Sequence, residues 1–513
     1  MTILASKYLP QEPPFAYVAK LPAGIDSKAI DDIVSDFFDI FLYPIRYKMW
    51  DYTSKTPKPA GAKPQLSARS SNSALTCTRP PLGPEVSNVS LFIGRSSPDQ
   101  ATTRSRKRTT DYEQMREGHQ FRSVHKRNDV DVDDDDSYLN SVAEIWNPGT
   151  SMSTLSVPPG LKPDGSEGNL QWQYGGAGTS VYVIDSGLDT RYSEFDGASI
   201  RWLYPALESL EEPGDGYSSS DSQLVWGHGS QVAAKVIGTH IGTAPMANLI
   251  VVPDELSVGK YRNLGSTLQN MWLKVHDDIV ETKDKWKAGY CVVVFSAGHS
   301  FYDRGGSIDY HLAKRIVTAI GKLGCYVVAA GGNEISDPEN PTQDRKKLRI
   351  PQILSGNRDL DKVLLIVGGH DLDGYNYFEY NKYTRISAPA VDLVGLKPID
   401  HPESPPPIDD ERWSSRSYDY IDGTSFSGPT VAGILATFIS QGYRDPLGYL
   451  LAISKDPMRP GEPRIAWNGI YPDMYPQSYI DSSPMAQTLK EYKRPPLKDP
   501  RVADKGPPIR LVP

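Results

Sequence analysis

Cysteine is scarce in this chain of 513 residues: Cys77, Cys291 and Cys325 are too few for the disulfide framework of a small stapled scaffold. No His/Cys cluster has zinc spacing, and no glycine-rich phosphate loop follows a strand, which argues against a zinc module or a nucleotide-binding enzyme. Long apolar runs are missing too. The stretches Cys291–Phe295, Tyr326–Ala330 and 363–367 have strand lengths, so they suit a core and not a bilayer, and no membrane association is expected. Residues 1–7 lack the basic start and sustained apolar core of a secretory signal, which leaves a non-classical route, an intracellular enzyme or a misplaced start open. Hydrophobic content is 38% beside 43 prolines and 43 glycines, low for a chain packed throughout, so part of it is expected to be disordered.

The segment Gly423-Thr424-Ser425-Phe426-Ser427-Gly428-Pro429-Thr430-Val431-Ala432-Gly433 sets a serine among small residues at the mouth of an apolar helix. Pro429 is expected in the first helical turn, followed by Val431, Ile434, Leu435, Phe438 and Ile439 at helical spacing. Ser425 then sits at a helix N-terminus, among unpaired N–H groups and the positive end of the dipole. A hydroxyl is a poor nucleophile at its free pKa, so such a serine needs a base within reach and donors for the developing oxyanion. Ordinary N-capping explains the segment equally well when it is taken alone.

Its partners lie upstream. Thr179-Ser180-Val181-Tyr182-Val183-Ile184 reads as a buried strand and ends in Asp185-Ser186-Gly187, which puts a carboxylate at a strand's C-terminal end. Gly227-His228-Gly229-Ser230-Gln231-Val232-Ala233 puts a histidine at the start of a second helix, between glycines that permit close backbone approach. The chain order is Asp, His, Ser.

Together these segments resemble the three signatures of the subtilisin-like (S8) serine proteases. A fourth, Tyr326-Val327-Val328-Ala329-Ala330-Gly331-Gly332-Asn333-Glu334, resembles the family's strand and turn that present an oxyanion-hole asparagine, here Asn333. The resemblance covers residues 175–441, about half of the chain. It implies that Ser425 attacks the scissile carbonyl, His228 moves the proton, Asp185 orients the imidazole, and Asn333 with the Ser425 N–H binds the oxyanion. It also implies substrate contacts. Ser296, Ala297 and Gly298 would pair with an extended peptide along one wall of the S1 pocket, and Ala330, Gly331 and Gly332 would form the other. The small, apolar lining suggests a tolerant preference for apolar P1 residues. For Ser296 a plain core-strand role stays open.

Neighbouring families fit less well. A sedolisin-like protease would carry acids where His228 and Asn333 stand, a kexin-like one would carry Asp-Asp-Gly at Asp185, and an α/β-hydrolase would place its acid and histidine after the serine. The acidic, serine-rich insert 208–222 and the Pro-rich 397–410 read as surface loops, and Ser230 stands where the family usually has threonine. On the strands of this fold Cys291 and Cys325 would be neighbours, and two buried free thiols are the expected state. The chemistry requires no cofactor. Structural calcium is implied by the resemblance only, with Asp189 and Asp196 offering no ligand set.

The expected architecture is α/β, with a doubly wound, mostly parallel sheet and flexible N-terminal and C-terminal extensions. Residues 1–53 read as a small α+β piece placed like a pro-region, with a strand in 15–20 and a helical pattern over 29–41. Residues 54–136, with a basic run at 103–108 and an acidic run at 129–136, read as a solvated linker; Lys126-Arg127 is a dibasic cleavage point or an ordinary part of it. The catalytic domain is assigned to 137–455, and a Pro/Tyr-rich extension to 456–513. A net charge of −8 without aromatics interleaved in the basic run argues against nucleic acid. A monomer acting on polypeptides is expected, with an inert binding protein or a purely self-processing enzyme as alternatives.

Overall fold

A computed structural model describes residues 141–145, 154–161, 169–203, 227–253, 268–286, 291–296, 308–334, 349–398 and 418–508, apart from 379, 484 and 507, together with four short strands before residue 94. Those four strands, β1 (Ile3–Leu4), β2 (Val18–Lys20), β3 (Ile40–Tyr43) and β4 (Ser90–Ile93), form an antiparallel sheet in the order β1-β2-β4-β3. They belong to a separate unit, residues 1–102. At the end of the pattern expected to be helical over 29–41, Ile40–Tyr43 is a strand. Ser90–Ile93 is a strand as well, inside the stretch read as solvated linker, because Leu91, Phe92 and Ile93 make an apolar island there. The remaining parts of 1–53 and 54–136, the dibasic pair included, and the inserts 208–222 and 399–410 lie outside the described residues.

The second unit is built on a parallel sheet. After a short antiparallel pair, β5 (Val142–Ile145) and β6 (Asn169–Trp172), come β7 (Ser180–Asp185), β8 (Ile200–Trp202), β9 (Asn248–Pro253), β10 (Cys291–Phe295), β11 (Tyr326–Ala330), β12 (Leu364–His370) and β13 (Ile386–Pro389). An antiparallel ribbon follows, β14 (Leu393–Leu396) with β15 (Tyr418–Ile421), and then β16 (Arg464–Ile465). The sheet has eight strands in the order β16-β13-β12-β11-β10-β7-β9-β8, and each neighbouring pair is parallel. Runs such as Ser-Val-Tyr-Val-Ile-Asp and Cys-Val-Val-Val-Phe are buried along their whole length, as strands covered on both faces must be.

Helices cover both faces. On one side α1 (His228–Ile237) and α4 (Thr424–Ser440) share a core with Val181, Val183, Val292, Val294 and Val328. On the other, α2 (Leu268–Trp286) brings Trp272 to 5.6 Å from Phe295 and Asp278 to the Tyr182 hydroxyl at 2.8 Å, beside α3 (Ile308–Lys322). The strand order turns at β7, which lies between β9 and β10. That switch point is where open α/β sheets place their sites. Every residue of α4 is buried, consistent with a helix apolar on all sides.

The domain extends past residue 455. Helix α5 (Pro446–Ile453) opens on Asp445, whose carboxylate accepts from the Gly448 N–H, with Pro446 at its first position. Beyond it β16 pairs with β13, Trp467 is fully buried, and Arg494 and Lys505 stand 4.1 and 4.3 Å over the rings of Tyr471 and Tyr443. Apolar burial, not periodicity, ties down this Pro/Tyr-rich segment.

The expectation of two free thiols is overturned, since Cys291 and Cys325 form a disulfide. The β10–β11 register sets Val292 opposite Tyr326, so the residues preceding them face each other with Cα atoms 4.8 Å apart, within a disulfide's span. The bridge joins positions 34 apart, so its reduction is expected to lower stability by about 4 kcal/mol on the loop-entropy relation. Urea midpoints with and without reductant check this; equal midpoints would contradict it.

Candidate active site

The site gathers at the C-terminal ends of β7, β10 and β11. Asp185 closes β7, 8% exposed, and its Oδ1 takes the His228 Nδ1 at 2.7 Å and the Ser186 N–H at 2.8 Å. The Ser186 hydroxyl in turn accepts from the Gly229 N–H at 2.8 Å, so the residue after the carboxylate also grips the helix that starts with His228. Glycine at 229 is a geometric requirement. A Cβ there would stand 2.2 Å from the Gly187 carbonyl oxygen, and this backbone approach is what brings the imidazole to the carboxylate. The His228 side chain is one-third exposed, and its ring lies 5.6 Å from that of Phe426, the neighbour of Ser425.

Ser425 is in the first turn of α4, which begins at Thr424, five residues before Pro429. The expected place of Pro429 in the first turn is therefore corrected: it lies inside the helix. A proline there leaves the carbonyl four residues earlier, that of Ser425, without its helical donor. The Ser296 hydroxyl fills the gap, donating to the Ser425 carbonyl at 2.7 Å, while the Ser425 hydroxyl donates to the Ser296 carbonyl at 3.0 Å. The Ser296 side chain, 4% exposed, is thus turned toward the nucleophile segment. Ser296→Ala would leave a buried carbonyl unpaired and is expected to cost roughly 1–3 kcal/mol, with Ser296→Thr retaining most of the stability. Urea denaturation measures this, and an unchanged midpoint for Ser296→Ala would refute the assignment.

Asn333 follows β11 and is exposed. Its Oδ1 accepts from the Thr424 N–H at 2.8 Å and faces the Thr424 hydroxyl at 2.9 Å, which assigns the amide orientation and leaves the NH2 group as the outward donor. The same hydroxyl accepts from the Gly332 N–H at 3.0 Å. Gly423 has φ of 136°, and a Cβ on it would stand 3.0 Å from Asn333 Nδ2, so glycine keeps the amide's surroundings open. Ala330 ends β11 with its carbonyl held by Gln352 Nε2 at 2.6 Å, and the Gly331 N–H is bonded to the Val367 carbonyl at 2.8 Å. Ala297 and Gly298 lie outside the described residues.

Asp185, His228, Ser425 and Asn333 are therefore carried to the C-terminal edge of the sheet by β7, by the turn after β11 and by two helix starts. Sequence reasoning gave no role to Ser186, Thr424 or Gln352, although the first two lie inside the quoted motifs; Gln352 carried no local signal. Among the described residues no group of three or more His, Cys, Asp and Glu could hold a metal ion, and Asp189 is taken up by Arg191 at 2.6 Å. No helix among them is long and apolar enough to cross a membrane.

The profile of the Subtilase family, Peptidase S8, matches residues 176–447, more than half of the chain. The chain belongs to the subtilase family. It is 23% identical over 267 residues to subtilisin-like protease 6 of Trichophyton verrucosum, covering 52% of this subtilase and 53% of the relative. It is 24% identical over 276 residues to subtilisin-like protease 10 of Arthroderma otae, covering 52% and 54%. The matched part of this subtilase thus spans about half the length of those relatives. Among solved structures, a cold-adapted subtilisin-like serine proteinase is 18% identical with a TM-score of 0.42, covering 63% of this chain and 99% of the other.

Proposed function

We propose that this subtilase is a serine endopeptidase that hydrolyses peptide bonds. The observation that carries the reading is the 2.7 Å bond from His228 Nδ1 to Asp185 Oδ1. With Nδ1 bonded to the carboxylate, Nε2 takes the Ser425 proton, and Asp185 stabilises the imidazolium that results. Ser425 Oγ then attacks the carbonyl carbon and forms a tetrahedral intermediate. Its oxyanion is held by Asn333 Nδ2 and the Ser425 N–H, both fixed before substrate arrives. Collapse expels the amine, which receives the proton from His228, and water repeats the sequence on the acyl-enzyme.

The peptide enters extended and pairs with the backbone from Ser296 onward, while Ala330, Gly331 and Gly332 form the opposite wall of the S1 pocket. Main-chain pairing is tolerant of sequence and favours small or apolar P1 side chains in a pocket walled by Ala330 and these glycines. Incubation of the full chain with casein is the test: new internal cleavage that a fluorophosphonate suppresses is expected, and intact casein beside folded protein would overturn the reading.

A further inference from the structure

Helix α1 carries a lysine where no charge has solvent. Lys235 is 0% exposed, and its Nζ donates to the Val394 carbonyl at 2.7 Å. One turn earlier, the Gln231 amide donates to the Leu396 carbonyl at 2.7 Å. His228, Gln231 and Lys235 occupy positions i, i+3 and i+7, a single stripe of the helix. Val394 and Leu396 are two apart on β14, so their carbonyls leave the same edge of that strand. The spacings agree: four helical residues rise about 6 Å and two strand residues about 6.6 Å. The helix bearing His228 therefore supplies donors, at matched intervals, to the edge of a two-stranded ribbon.

The ribbon leads to the nucleophile. From β15 the chain passes through Asp422 and Gly423 to Thr424 and Ser425, and it is pinned by Gly423 N–H to the Ala390 carbonyl at 2.8 Å and by Asp392 N–H to Asp422 Oδ1 at 2.7 Å. Its other strand is tied by a second buried ion. Glu194, 0% exposed, accepts from the Tyr418 hydroxyl at 2.6 Å, from His240 Nδ1 at 2.9 Å, and from the N–H groups of His240 and Ile241 at 2.9 and 3.4 Å. Tyr192 adds a bond to the Lys397 carbonyl at 2.5 Å.

We propose that Lys235 and Glu194 are positioning residues, forming a buried brace that sets the ribbon delivering Ser425 against the helix delivering His228. The proposal rests on the catalytic reading above. An apolar residue at 235 would pack at lower cost, since burying an ammonium carries a desolvation penalty, so the lysine is explained by what it holds. Burial pushes its pKa down to about 7, while Glu194 acts against that shift. Burial works to raise the Glu194 carboxyl, and the bonds from His240 and Tyr418 outweigh it and hold it low. The other elements packed on α1 offer little charge: α4, β9 and β14 have no ionisable side chain, and β7 has Asp185 and Tyr182, the latter bonded to Asp278 on the far face.

The experiment uses Lys235→Met, with Tyr418→Phe as a milder variant should the first fail to fold. In active protein, kcat on a peptide substrate is expected to fall about ten- to a hundredfold with KM within about twofold, as displacement of paired catalytic groups does. In a Ser425→Ala background, which avoids self-digestion, amide exchange should accelerate in 393–396 and 418–425 while β7, β10 and β11 stay protected. The folded pKa of Lys235 lies below its unfolded value, so the unfolded chain binds more protons between about pH 7 and 10.4 and stability rises with pH there. Lys235→Met should remove that rise. Unchanged exchange in the ribbon, or unchanged kcat beside an active parent, overturns the brace. Where the parent itself hydrolyses nothing, the catalytic reading fails, and exchange and the pH profile alone decide the brace.

Discussion

Replacing Ser425 by alanine is expected to lower peptide hydrolysis on the order of a millionfold, the scale seen when the serine or histidine of such a triad is removed. The loss follows from chemistry and not from unfolding. Among the described residues the Ser425 hydroxyl makes one bond, at 3.0 Å to the Ser296 carbonyl, and alanine suits a helical first turn, so stability should change by no more than about 1 kcal/mol. The Ser296 hydroxyl still donates to the backbone carbonyl of residue 425 in the variant. Steady-state hydrolysis of a peptide and a urea titration, run on the same preparation, separate the two effects. A variant that keeps more than a small fraction of parental activity would place the nucleophile elsewhere.

Asn333→Asp is the second large effect. The carboxylate keeps an acceptor for the Thr424 N–H and hydroxyl, so the turn after β11 retains both anchors. It loses the Nδ2 donor and sets a negative charge beside the developing oxyanion. A fall in kcat of at least about a hundred- to a thousandfold is expected, with KM little moved, because the donor matters only once negative charge develops. A variant in which KM rises and kcat holds would make Asn333 a substrate contact instead.

The parallel sheet was legible because its strands are runs of valine, isoleucine and alanine ended by glycine or aspartate, patterns set by burial on both faces. The elements that carry the candidate site were legible for a related reason: a carboxylate at a strand end and a histidine and a serine at helix mouths have glycines beside them, and those glycines are visible. Gly229, whose Cβ would strike the Gly187 carbonyl, is the physical content of the histidine motif.

What stayed hidden depends on contacts distant in sequence. Whether Cys291 and Cys325 bond is decided by the register of β10 and β11, which neither strand states alone. The inward turn of Ser296 depends on a carbonyl orphaned by Pro429, 133 positions later in the numbering. Lys235 reads locally as an ordinary solvated helix residue, and only the edge of a ribbon formed more than 150 residues away, at a separation of 159, makes it a buried donor. Strand β16 is two residues long, too short for any period, and joins the sheet because Ile465 and Trp467 find the core.

The most direct measurement is peptide mapping of the full chain after reaction with a fluorophosphonate, with Asp185→Asn and His228→Ala run alongside. The expected result is a single covalent adduct on Ser425, formed quickly in the parent and lost or greatly slowed in both variants. An adduct on another serine, or none on folded protein freed of its N-terminal 136 residues, would contradict a catalytic set of Asp185, His228 and Ser425.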